Sequence, residues 1–514
     1  MIAVGGGTML ARVFTASIIG IDGIPVEVEV DIVFGMPRFD MVGLPSEEVR
    51  ESRFRVQSAM KNSGLDVPHD RVTVNLAPAT LRKVGTSFDL PLAVGMGAAS
   101  GQIPSGEASR YLIMGELSLD GQVKSIRGTL CMVSASNGMD LNGVVVPAAN
   151  AREAAICTER PVYGVSSLTE VFGLIRGTVD IAAAEPEPAA VPTGQVTALD
   201  FSEIRGQEHA RRAVEVAAAG GHNILMIGPP GSGKTMIARR IPTILPAMSI
   251  EEAIETTKIF SVAGRLKHDG LMSARPFRAP HHTVSNAALI GGGSFPRPGE
   301  VSLANHGVLF LDEFTEFKRS AIEVMRQPLE DRRVTIARAH ATATFPASFM
   351  LIAAMNPCPC GNLTDPRKAC RCGARDIDRY RRKISEPILD RIDIHIEVPP
   401  AEYRDISGTD PSETSEAMRA RVTECRRVQE DRFRSQPSIF TNSQMPASVI
   451  AKNCGLDREG KALLRTACAR LGLSARSYSK VLKIARTIAD LDSRGNIKTS
   501  HLAEAVQYRS LDFG

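Results

Sequence analysis

The chain has no tryptophan, and only 5% of its 514 residues are aromatic. Stacking of nucleobases on aromatic rings, which binders of single strands use repeatedly, therefore has few side chains to draw on. Charge of one sign is equally scarce. The 61 Lys and Arg against 57 Asp and Glu leave a formal net charge of +4, so a polyanion must be met by local basic patches rather than by the field of the whole molecule. No apolar stretch is long enough to span a bilayer, and Gly5, Gly6, Gly7 and Arg12 interrupt any leader-like apolar core near the start. Nine cysteines are too few for a disulfide scaffold at this length. Four of them cluster, which points to metal in a reducing compartment. The expected setting is cytoplasmic, with no membrane contact.

What is present is an ordinary globular composition, 43% hydrophobic and 23% charged, with room for about three domains. The patterns predict an α/β protein. Residues 1–183 mix strands and helices: 26–33 (Val-Glu-Val-Glu-Val-Asp-Ile-Val) and 71–76 alternate as half-buried strands do, and 46–63 reads as a helix stopped by Gly64. Residues 184–199 contain a proline-rich stretch that reads as a semi-extended linker. Residues 200–400 carry nucleotide chemistry. Residues 401–514 form a helical segment with candidate helices at 462–471, 478–491 and 500–508.

The most informative stretch is Gly228-Pro229-Pro230-Gly231-Ser232-Gly233-Lys234-Thr235. It fits the phosphate-loop pattern G-x-x-x-x-G-K-[ST], preceded by an apolar run at 223–227 that predicts a strand and followed by a predicted helix. In such a loop the backbone N–H groups and the helix N-terminus surround the phosphates of ATP. Lys234 reaches the β- and γ-phosphates, and the Thr235 hydroxyl faces Mg²⁺. A second apolar run, 308–311, ends in Asp312 and Glu313. Asp312 is placed to hold Mg²⁺ and Glu313 to polarise the attacking water. A third run, 349–355, delivers Asn356 to the C-terminal sheet edge, where open α/β sheets bind ligands.

With these motifs the chain resembles a AAA+ ATPase of the magnesium-chelatase-like group, most closely the ComM/YifB family. The resemblance rests on 275–283 (Arg-Pro-Phe-Arg-Ala-Pro-His-His-Thr), 298–307 (Pro-Gly-Glu-Val-Ser-Leu-Ala-Asn-His-Gly) and 355–361 (Met-Asn-Pro-Cys-Pro-Cys-Gly). It implies a bacterial, ring-forming, hexameric DNA motor linked to natural transformation, extending heteroduplex by branch migration, with recombination proteins as further partners. It also implies that Asn356 is sensor 1, Arg391 the arginine finger that reaches a neighbouring subunit, and Arg476 sensor 2 on the lid. An ATP-driven protein remodeller of the magnesium-chelatase type, without DNA activity, is the alternative.

DNA contacts are expected in two places. The long stretch 250–300 corresponds to an insert that points into the pore of related motors. It carries Arg275, Arg278, His281 and His282, for which a fold-stabilising role is the alternative for the His pair. The segment 330–340 alternates after Arg333 and predicts a hairpin arm bearing Arg333 and Arg338. Residues 367–383 hold eight basic and two acidic side chains, a patch suited to phosphates without sequence readout.

Cys358, Cys360, Cys370 and Cys372 form two C-x-C pairs. Four thiolates at this spacing can close a structural Zn²⁺ site; four unligated thiols beside Asn356 are the alternative. Finally, 82–90 and 115–123 resemble the Lon protease domain, an S5-like α/β fold. Ser87 falls at the nucleophile position, but Leu130 stands where the general-base lysine belongs, and leucine cannot accept a proton. The N-terminal domain is expected to be noncatalytic.

Overall fold

The computed structural model describes residues 9–186, 199–266, 270–293, 296–338, 341–400, 412–436 and 439–509. Most of the expected linker lies outside these. Among the described residues no helix is long and apolar enough to cross a membrane. The chain divides into two units, and the division does not follow sequence order: Ile250–Met272 and Thr342–Thr344 group with the N-terminal segment, and the rest from Pro192 onward forms the second unit.

The first unit is built on a seven-stranded mixed sheet. Its strands are β1 (Met9–Ile19), β2 (Asp22–Val33), β3 (Arg38–Val42), β4 (Arg71–Ala77), β5 (Tyr111–Ile113), β6 (Gly143–Pro147) and β7 (Val162–Val165), in the order β3-β4-β2-β1-β5-β6-β7. The alternation read at 26–33 is the cause of β2: Val26, Val28 and Val30 are fully buried, and Glu27 and Glu29 on the other face meet Arg12 of β1 at 3.2 and 3.4 Å. The helix Glu47–Asn62 begins where Ser46 accepts the Val49 N–H, with Glu47 and Glu48 in its first turn and Lys61 in its last, as capping and the helix dipole favour.

Leu130 is fully buried in the short helix Thr129–Val133. Lys83, the nearest lysine to Ser87 in sequence, is also buried. Its ammonium donates to the carbonyls of Gly43 (3.0 Å), Leu76 (2.7 Å) and Pro78. Burial lowers its pKa, and its donors are spent on backbone. The helix Thr129–Val133 packs on Ile250–Val262, the helix that opens the insert. The Gly128 N–H donates to Ser261 Oγ at 3.1 Å, and Cys131 Sγ lies 3.9 Å from the Lys258 carbonyl. The short helix that carries Leu130 thus packs against Ile250–Val262.

The second unit contains a five-stranded, all-parallel sheet of β8 (Ile224–Ile227), β9 (Phe277–Arg278), β10 (Val308–Leu311), β11 (Met350–Met355) and β12 (Ile394–Glu397), ordered β9-β10-β11-β8-β12. β8, β10 and β11 are buried along their whole length, which is why they read as unbroken apolar runs. Helices Ser415–Phe433, Ala447–Asn453, Arg458–Leu471, Ala475–Leu491 and Thr499–Gln507 follow. Two of the predicted helices start earlier than their apolar residues suggest, because Asp457 and Ser474 cap them through the N–H groups of Gly460 and Ser477.

Candidate nucleotide site and thiol cluster

β8, β10 and β11 end side by side, which gathers three separate sequence motifs at one edge. The phosphate loop leaves β8, and its Gly231 and Gly233 take φ of +77° and +91°, a region closed to most side chains. The helix Lys234–Ile244 then begins directly at the loop. Lys234 Nζ donates to the Gly228 and Pro229 carbonyls at 2.7 and 2.9 Å. Thr235 Oγ1 donates to Asp312 Oδ2 at 2.8 Å. The two side chains expected to hold magnesium are therefore in contact, and an oxygen donor set of this kind suits that hard cation.

Burial lowers the Lys234 pKa to about 8, with Asp312 partly offsetting it. A bound triphosphate favours the charged form, so binding takes up a proton above that value and needs none well below it. Affinity for an ATP analogue is expected to be flat up to about pH 7.5 and to fall from about pH 8 upward. Calorimetry in two buffers of different ionisation enthalpy reads the proton directly. Proton release in place of uptake would contradict the assignment.

Glu313 has φ of +51°, its backbone N–H donates to Asp312 Oδ1 at 3.0 Å, and His282 Nδ1 lies 3.1 Å from Glu313 Oε2. From sequence, DNA contact and fold support are both open to this histidine. The structure puts it on the acid beside the nucleotide edge, a link across 31 residues that no local pattern signals. Asn356 follows β11, and its backbone N–H is bonded to the Tyr380 hydroxyl, which also lies 2.6 Å from Thr315 Oγ1. Tyr380 is thus a buried tie between the segments after β10 and β11. It sits in the helix Ala374–Arg381, beside an open cleft of about 680 Å³ whose lining includes Arg319, Arg375, Arg379, Arg382 and Lys383.

The remaining arginines separate into two sets. Arg275 donates to the carbonyls of Pro246 (2.6 Å), His306 (2.6 Å) and Ala247 (3.2 Å). Arg278 forms a two-pronged pair with Glu300 at 2.6 and 2.8 Å. Both guanidinium groups brace the fold. Arg333 and Arg338 instead bound the first strand of a two-stranded sheet, Arg333–Arg338 with Ala341–Pro346, and both are exposed.

Arg391 is only 16% exposed and pairs with Glu330 while donating to the Pro387 carbonyl at 2.7 Å. Its loop is held by neighbours that no sequence motif marks. Asp393 meets His222 at 3.1 Å and Lys480 at 2.9 Å, and Arg509 donates to the Ile392 carbonyl at 2.8 Å. Burial alone would raise the Asp393 pKa; Lys480 and His222 outweigh it and hold the carboxyl well below its ordinary range. Arg476 is exposed in the first turn of Ala475–Leu491.

The four clustered cysteines lie with all their sulfurs within 4.8 Å of one another. Cys358–Cys360, Cys358–Cys370 and Cys360–Cys370 are 3.4, 3.7 and 3.7 Å apart. Backbone N–H groups of Arg371 and Asn362 donate to Cys360 and lower its pKa to about 6.

Comparison with known proteins agrees with this layout. Family models described as magnesium chelatase, subunit ChlI, as subunit ChlI of Mg-chelatase, and as its C-terminal part match residues 200–406, 28–150 and 412–509. The chain is 40% identical over 505 residues to competence protein ComM of Haemophilus influenzae, covering 98% of each chain. It is 38% identical over 504 residues to YifB of Salmonella typhimurium, covering 98% of this chain and 97% of the other. A shorter match, 29% over 155 residues and 28% of each chain, is to Lon protease 2 of Bacillus subtilis. The chain belongs to the ComM/YifB family of magnesium-chelatase-like AAA+ proteins.

Proposed function

We propose that this member of the ComM/YifB family is an ATP-hydrolysing, ring-forming DNA motor that promotes branch migration during recombination of incoming DNA. The observation that carries the ATPase part is the Thr235–Asp312 contact at the shared end of β8 and β10, with Lys234 and Glu313 beside it. ATP is the substrate. Lys234 and the loop amides receive its phosphates, and Glu313, oriented by His282, accepts the proton of the attacking water. Asn356 orients that water. Thr235 and Asp312 would hold Mg²⁺, which neutralises charge on the β- and γ-phosphate oxygens when bound. Arg391 and Arg476 act as finger and sensor 2, and six copies form the ring.

The DNA part rests on the relative named a competence protein and on the exposed arginines of the hairpin. Because Arg275 and Arg278 are engaged inside the fold, Arg333 and Arg338 make the backbone contacts. The four thiols take Zn²⁺. A second reading, a protein remodeller, is favoured by the family models that carry the magnesium chelatase description.

Branch migration of a synthetic three-stranded junction separates the two. Intact protein is expected to move the junction only with ATP. Lys234→Ala is expected to abolish movement by removing the phosphate contact, and Arg338→Ala to lower it at least tenfold by removing a pore contact. ATP hydrolysis that DNA neither stimulates nor couples to movement would replace the DNA reading with the remodelling one.

A further inference from the structure

We propose that Cys358, Cys360, Cys370 and Cys372 hold a single Zn²⁺ ion, and that the resulting knot is a wall of the nucleotide pocket, so that tight ATP binding requires the metal. The second half deepens the ATPase reading and rests on it; the first half stands alone.

The metal follows from geometry. A tetrahedral tetrathiolate with Zn–S bonds of about 2.3 Å places its sulfurs about 3.8 Å apart. The three close pairs here are at 3.4, 3.7 and 3.7 Å, and the widest separation in the quartet is within 4.8 Å. A polynuclear iron–sulfur cluster needs its outer thiolates farther apart, because several metal atoms and bridging sulfides lie between them. None of the four is in a disulfide. Soft thiolates select zinc over magnesium or calcium, so this site and the oxygen site at Thr235 and Asp312 do not compete for one ion.

The link to the nucleotide follows from packing. Cys358 lies two residues beyond Asn356, and the Gly361 N–H closes a turn on the Cys358 carbonyl at 3.0 Å. Gly361 has φ of +78°, and a Cβ there would fall 2.6 Å from Pro230 Cδ in the phosphate loop and 3.9 Å from Asn356 Cγ. The turn therefore rests against both the loop and sensor 1. At the other end, Cys372 precedes Gly373, the cap of the helix that carries Tyr380. That hydroxyl bonds the Asn356 N–H and Thr315. The metal would close a loop of fourteen steps whose two ends both bear on the nucleotide edge. Without it, ordering that loop costs conformational entropy with little core of its own to offset it.

The test uses the full-length chain, purified without chelator. Metal analysis is expected to give about one zinc per chain, released by a mercurial reagent and read with a chromogenic chelator. Cys360→Ser and Cys370→Ser are expected to lose it, and Cys468→Ser, in the lid, to keep it. Removing the metal is expected to weaken binding of a fluorescent ATP analogue at least about tenfold, with recovery on adding Zn²⁺ and not Mg²⁺. Gly361→Val is expected to weaken the analogue while retaining zinc. Absence of metal, or iron in its place, overturns the zinc site. Zinc present with unchanged nucleotide affinity on its removal overturns the wall. A zinc-loaded wild-type chain that binds no nucleotide condemns the ATPase reading instead, and leaves the metal site standing.

Discussion

Arg391→Ala is expected to lower ATP turnover roughly 10³–10⁵-fold with little change in nucleotide affinity. A guanidinium at the γ-phosphate acts on charge that develops only as the bond breaks, so its loss appears in kcat rather than in binding. Within one chain Arg391 pairs with Glu330 and donates to Pro387, so the proposed role requires a neighbour's nucleotide to compete for it. Mixing provides the measurement. Lys234→Ala and Arg391→Ala subunits, each inactive alone, are expected to regain turnover together, because some interfaces then combine an intact loop with an intact finger. No recovery in mixed rings that are shown to form would remove Arg391 from that role.

Asp393→Ala is expected to cost about 3–5 kcal/mol of stability in the second unit. The loss comes less from the missing attraction than from what stays behind. His222 and the mostly buried Lys480 surround Asp393, and without the carboxylate the ammonium keeps only the Ile392 carbonyl, at 3.3 Å, as an acceptor. Burial already lowers the pKa of Lys480. The native Asp393 pKa lies below the unfolded one, so its stabilisation is present above about pH 4 and fades as pH falls further. Urea unfolding of Asp393→Ala, Lys480→Met and the double variant measures this. The double variant is expected to recover much of the loss, since replacing both charges is far less costly than stranding one. A loss below about 1 kcal/mol in the single variant would mean that the pair is solvated.

The convergence of the glycine loop, Asp312 and Asn356 at one sheet edge was legible because each of these motifs is carried by neighbours in sequence. A glycine loop, an apolar run and two acids each announce a strand end without reference to the rest of the chain. Helix starts at 458 and 475 were less legible, since the capping residues Asp457 and Ser474 precede the apolar pattern. Long-range polar pairings were not legible at all. His282 on Glu313, Tyr380 between Thr315 and Asn356, and Lys480 on Asp393 join segments whose separation carries no local signal. Arg275 and Arg278 show the converse. Their place in the long stretch 250–300 suggested contact with DNA, whereas backbone carbonyls hold Arg275 and Glu300 holds Arg278. An arginine's role depends on which acceptors the fold brings to it.

The helix Ile250–Val262 and residues 342–344 are grouped with the N-terminal segment, and the short helix bearing Leu130 is the surface on which the former rests. A lineage could not discard its first 186 residues as a detachable module. Helix Ile250–Val262 has the buried positions Ala253, Thr256, Thr257, Ile259 and Ser261, and deletion of its support would expose them. Loss of the front domain would therefore have to be accompanied by rewriting of that helix, and the two stretches should be inherited, exchanged and lost together.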